Sequence, residues 1–131
     1  MVSGMWHAAK ILAVDDEPAL TELMHFHLVR AGHNVTVAAN GWEALDCIRQ
    51  QRPDIILLDL MLPDLDGFGV CEILRRDPLT ATIPIIIVSA WASHDSRNLG
   101  LELGALDYIT KPFSPQELVE RVNRLLHVRA G

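Results

Sequence analysis

Five short apolar runs, each answered by a stretch of helical periodicity, set the pattern of this chain. The first run is Lys10-Ile11-Leu12-Ala13-Val14, ending in Asp15-Asp16-Glu17-Pro18. From Pro18 onward Leu20, Leu23, Met24, His27, Leu28 and Ala31 recur along one helical stripe, and Gly32 ends it. Asn34–Ala38 is a second, more polar run, as expected of a strand at a sheet edge. Asn40-Gly41 then turns into a helix carrying Trp42, Leu45 and Ile48. The third run, Ile55-Ile56-Leu57-Leu58, is bracketed by Pro53 and Pro63 and runs straight into Asp59. A short unbroken aliphatic segment between turn signals reads as a strand buried on both faces.

The loop Met61–Gly67 leads to a helix with Val70, Ile73 and Leu74 inward. Pro84 opens the fourth run, Ile85–Ser89, followed by a helix from about Ser93 to Leu103 with Gly104 at its end. Asp107-Tyr108-Ile109-Thr110 is the fifth run, followed by Lys111-Pro112-Phe113. Ser114-Pro115-Gln116-Glu117 has the form of a capping box, and Leu118, Val122, Leu125 and Leu126 form the buried stripe of the last helix. Strand and helix alternate with connections too short for anything but parallel crossovers. The expected architecture is a doubly wound five-stranded parallel α/β sheet with helices on both faces. Its functional site belongs outside the carboxyl ends of the strands, where strand order reverses.

Composition narrows the function. The chain has 131 residues, half of them hydrophobic, which suits one domain around one core. The net charge of -6 argues against direct contact with nucleic acid or an anionic membrane. Arg121, Arg124 and Arg129 suit the carboxyl end of the last helix rather than a basic patch. No apolar run is long enough to span a bilayer, and Met1–His7 lacks the form of a signal peptide, so a cytoplasmic protein is expected. Cys47 and Cys71 fall in amphipathic helices as core or boundary residues. The histidines His7, His25, His27, His33, His94 and His127 are scattered and do not read as a metal site.

The chemistry lies at the carboxyl edge. The first strand brings Asp15 and Asp16 there, the third Asp59, the fourth Ser89, and Lys111 follows the fifth. Three carboxylates in one place repel one another and offer only oxygen donors, which suits a hard divalent cation. Mg²⁺ fits best, because it keeps several waters and accepts phosphate oxygens. Asp59 then has the makings of a carboxylate nucleophile that forms an aspartyl-phosphate, with Lys111 and Ser89 on the phosphoryl oxygens. The turn Asp15-Asp16-Glu17 would repel the phosphate of a nucleotide cofactor, and neither GxGxxG nor GxxxxGK[ST] occurs, so no organic cofactor is expected.

These pieces, Val14-Asp15-Asp16-Glu17-Pro18, Asp59–Gly67, Ser89-Ala90 and Asp107–Phe113, in this order and spacing, closely resemble the receiver domain of two-component response regulators. The resemblance spans about Lys10 to Val128, leaving residues 1–9 as a leader and 129–131 as a tail or the start of a linker. It implies a flavodoxin-like (βα)5 fold with strand order 2-1-3-4-5. It implies that Asp59 accepts a phosphoryl group from a sensor histidine kinase or a phosphotransfer protein. It implies Mg²⁺ held by Asp16, Asp59 and the Met61 backbone carbonyl, with Asp15 acting mainly through a bound water. It implies too that Ser89 and Lys111 bind the phosphoryl group, that Ser89 and Tyr108 form the switch, and that the Lys111–Pro112 peptide is cis. The domain is then a switch that assists its own modification, not a turnover enzyme.

Two departures stand out. Gly100–Tyr108 and Ser114–Leu118 resemble the winged-helix transcription-factor subfamily, whose fourth helix, fifth strand and fifth helix form a charged dimer face. Here Asp107, Glu117 and Arg121 match that face, but Leu99 and Leu106 replace charges and Leu103 adds to them. An apolar contact with a second copy or an effector domain is expected there. Trp91, two residues after Ser89, is expected to shield the phosphorylated state from water. The rivals are an aspartyl phosphatase, which would carry DxD after the first strand, and a receiver-like interaction module that is never phosphorylated.

Overall fold

The computed structural model describes residues 8–91 and 93–130. Strand and helix alternate as β1 (Lys10–Val14), α1 (Pro18–Arg30), β2 (Asn34–Ala38), α2 (Gly41–Gln50), β3 (Ile55–Leu58), α3 (Gly67–Arg76), β4 (Ile85–Ser89), α4 (His94–Glu102), β5 (Asp107–Thr110) and α5 (Pro115–Ala130). The strands are all parallel and lie in the order β2-β1-β3-β4-β5, which is the expected fold. The polar second run lies at one edge.

Side chains of a strand alternate between faces, and here both faces are buried. Ile11, Ala13, Ile55, Leu57, Ile86 and Val88 point to one core with Met24 and Leu28 of α1 and Leu118 and Val122 of α5. Leu12, Val14, Ile56, Leu58, Ile85 and Ile87 point to the other, with Leu45 and Ile48 of α2 and Val70, Cys71 and Leu74 of α3. This is why β1, β3 and β4 read as unbroken aliphatic runs. The sheet needs apolar cover on two sides at once.

The helices are narrower in contact than their periodicity suggests. Trp42, Leu23 and Ile73, expected in the core, are exposed, and Leu125 and Leu126 are half-buried. Each of the first three stands one residue from a buried position, beside Gly41, Met24 and Leu74. One residue is about 100° around an α-helix, enough to turn a side chain off a single sheet-facing stripe.

The starts of α2 to α5 are capped by local side chains, whereas α1 opens on Pro18 with no side-chain cap from Glu17. Asn40 accepts from the Glu43 amide, Asp66 from Gly69, Ser93 from Ser96 and Ser114 from Glu117. The Glu117 carboxylate accepts from Arg121. Gly32 and Gly104, both at φ +98°, follow α1 and α4 in the left-handed region that glycine tolerates.

Of the expected leader and tail, residues 1–7 and 131 lie outside the described residues. Ala9 is buried, its amide donates to His33 Nδ1, and its carbonyl accepts from the Asn34 amide. No helix among the described residues is long and apolar enough to cross a membrane.

Candidate functional site

Parallel register brings the acidic residues together. Val14 pairs with Leu58, and the Asp59 amide donates to the Val14 carbonyl at 3.0 Å. Asp15 and Asp59 therefore leave adjacent strands side by side. Ligand oxygens of Asp15, Asp16 and Asp59 all lie within 4.8 Å of one another. Asp15 and Asp59 are buried, whereas Asp16 is exposed.

Lys111 crosses from the far side of the sheet. Its amide donates to the Ser89 carbonyl, which ties it to the end of β4. Its Nζ donates to Asp15 Oδ2 at 2.6 Å, to Asp59 Oδ2 at 2.8 Å and to Glu17 Oε1 at 3.5 Å. The Lys111–Pro112 peptide is cis. Glu17 was not singled out from the sequence as a partner of Lys111, and its place in the acidic triplet was the available signal.

The charges shape one another. Burial pushes the Asp15 carboxyl above the ordinary range, and neighbouring Asp59 adds to the rise, while Lys111 and the Glu17 amide pull it back. Burial pulls Lys111 down, but its hydrogen bonds to Asp15 and Asp59, and their charges, outweigh this and raise it to about 12. One ammonium thus stands against several carboxylates, and the cluster keeps excess negative charge. That donor set, all oxygen and under-neutralised, fits a hard divalent cation.

Asp59 has both oxygens engaged, Oδ2 by Lys111 and Oδ1 by the Met61 amide at 3.0 Å. The Met61 side chain is exposed. Gly67 closes the loop behind Asp59: an added Cβ there would lie 2.5 Å from the Asp59 carbonyl oxygen. Its amide donates to the Leu60 carbonyl.

Ser89 and Tyr108 meet at a single residue. Ser89 is buried, and its Oγ accepts from the Trp91 amide at 3.3 Å. The Tyr108 ring is also buried, and its hydroxyl donates to the Trp91 carbonyl. The Arg97 guanidinium lies 5.3 Å from the centroid of that ring. Ser96 Oγ also donates to the Trp91 carbonyl. The Trp91 indole is half-exposed, with its ring centroid 5.9 Å from that of Phe68.

On the face formed by α4 and β5, Leu99 and Leu106 are exposed and Leu103 is half-buried. Arg121 pairs with Asp107 at 2.7 Å and with Glu117 at 3.4 Å within the same chain. Away from the site, Cys71 is buried in the core, which pushes its thiol up to about 12, and the Cys47 thiol is also raised, chiefly by burial. Both thiols are free.

A 2-1-3-4-5 parallel sheet that gathers three aspartates and a lysine at its carboxyl edge defines the receiver class of two-component signalling domains. The family model of the response regulator receiver domain matches residues 11–123, and the chain belongs to that family. It is 47% identical over 117 residues to the alkaline phosphatase synthesis transcriptional regulatory protein PhoP of Bacillus subtilis, a match covering 89% of this chain and 48% of that protein. The chain spans about half the length of the curated relatives it matches. Among solved structures, the receiver domain of a Francisella response regulator superposes with a TM-score of 0.85 at 38% identity, covering 94% of this chain and 99% of that one. The chemotaxis response regulator CheY4 of Vibrio cholerae gives 0.85 at 31% identity, covering 90% and 98%.

Proposed function

We propose that Asp59 is the phosphoacceptor of this receiver domain and takes its phosphoryl group from the phosphohistidine of a sensor histidine kinase or phosphotransfer protein. The observation that carries this reading is the convergence of Asp15, Asp16 and Asp59 with Lys111 at one sheet edge. A bond forms between an Asp59 oxygen and phosphorus as the bond from phosphorus to the imidazole nitrogen breaks, the electron pair staying on that nitrogen. Lys111, already on Asp59 Oδ2, is placed to hold a phosphoryl oxygen, and the Ser89 hydroxyl serves as a second donor.

Asp15, Asp16, Asp59 and the Met61 carbonyl would hold Mg²⁺. Bound there, the ion would neutralise charge between the carboxylates and the phosphoryl oxygens. The domain is a switch rather than a turnover enzyme. If Ser89 swings toward the phosphoryl group it must release the Trp91 amide, and the Trp91 carbonyl is where Tyr108 is fastened. One residue, through the peptide groups on its two sides, thus couples acceptor chemistry to the β5 face, and two alternative arrangements of it make a phosphate-biased switch. We infer a cytoplasmic regulator whose output passes through α4, β5 and α5 to a second copy or to an effector domain.

Intact mass after incubation with Mg²⁺ and acetyl phosphate tests the acceptor. Wild type should gain one phosphoryl group and Asp59→Asn none. A wild type that gains nothing, from acetyl phosphate or from a histidine kinase, would make the domain an unphosphorylated interaction module.

A further inference from the structure

The loop from Met61 to Asp66 carries a second acidic residue whose partner lies far away in sequence. Asp64 Oδ1 accepts from the Gly41 amide at 2.9 Å, and Oδ2 accepts from the Trp42 amide at 3.2 Å. Both amides belong to the first turn of α2. That helix start already has a cap of its own, Asn40 Oδ1 on the Glu43 amide at 2.8 Å. The backbones touch as well: a Cβ added to Gly41 would lie 2.2 Å from the Leu65 carbonyl oxygen. The loop is therefore clamped at two ends, by Gly67 against the Asp59 and Leu60 backbone and by Asp64 against α2.

We propose that Asp64 is a positioning residue for the cation site. By holding the loop on α2 it sets the place of the Met61 carbonyl, three residues before it. The inference rests on the metal-dependent reading above. Asp64 is suited to the task chemically. Asp64 is exposed, and the desolvation its neighbours impose is outweighed by amide hydrogen bonds from Gly41, Trp42 and Leu65, which hold the carboxyl below its ordinary value, so it stays an acceptor. Groups that orient metal ligands govern affinity without touching the metal.

Titration calorimetry with Mg²⁺ alone tests it. Asp64→Ala should weaken Mg²⁺ binding about tenfold. Asp64→Asn keeps an oxygen for the Gly41 amide and should fall between the two; it carries the test should the alanine variant not fold. Asn40→Ala is the decisive companion, because it uncaps the same helix without releasing the loop. Its Mg²⁺ affinity should stay within about twofold of wild type while its melting temperature falls. Equal weakening in Asp64→Ala and Asn40→Ala would reduce the effect to helix stability and overturn the proposal. Unchanged affinity in Asp64→Ala overturns it directly. A wild type that binds no Mg²⁺ removes the metal-dependent reading itself, a failure distinct from either.

Discussion

At the scale of the residue, the site is a competition between one ammonium and a ring of carboxylates. Lys111 is raised from the ordinary 10.5 to about 12, so the folded state binds its proton more tightly than the unfolded chain does. The stabilisation is fully present below 10.5 and is lost as pH climbs toward 12. The stability difference between wild type and Lys111→Met, from urea unfolding, should therefore hold steady up to 10.5 and shrink from there toward about 12. A difference that stays constant would mean that Lys111 contributes through packing instead. Asp15 works in the same sense at the acid end of the scale. Its raised carboxyl pKa means that the folded state holds that proton more tightly, so mild acid does not destabilise the fold through Asp15.

At the scale of the element, strand ends and loop glycines set the geometry that the titrating groups use. Gly67 sits where α3 begins, and a Cβ there would meet the Leu60 Cα at 2.7 Å as well as the Asp59 carbonyl. Both neighbours are main chain and cannot swing aside. Gly67→Ala should cost about 2 kcal/mol in urea unfolding, in the range of overpacked interiors. A loss of only a few tenths would show that the loop relaxes freely. Gly100 plays a comparable part in α4, where an added Cβ would lie 2.5 Å from Ile87 Cδ1 and 3.5 Å from the Tyr108 ring. Close approach of that helix is what roofs the tyrosine.

At the scale of the whole molecule, a sheet buried on both faces leaves only its carboxyl edge and the outer surfaces of the helices to do work. The surface formed by α4, β5 and α5 shows Leu99 and Leu106 to solvent, while Asp107, Glu117 and Arg121 are paired within the chain. Apolar side chains grouped beside the proposed Ser89–Tyr108 switch suit a contact that forms on activation. Sedimentation velocity with and without Mg²⁺ and beryllofluoride should show self-association in the activated sample, abolished by Leu99→Asp. A monomer in both states would eliminate the homodimer and leave an effector domain as the occupant.

The amino-acid sequence alone carried the element order, the parallel sheet and the gathering of Asp15, Asp16, Asp59, Ser89 and Lys111 at one edge. Those features rest on local periodicity and on a topological rule that needs no side-chain detail. Only the tertiary structure decided which apolar residues on each helix are covered, because a rotation of one residue moves Trp42 or Ile73 off the sheet. It also decided the partners of Asp64 and Glu17, and the meeting of Ser89 with Tyr108 on the backbone of Trp91. Those contacts join residues from separate elements. Side chains of the same type occur elsewhere along the chain, and only packing selects the ones that meet.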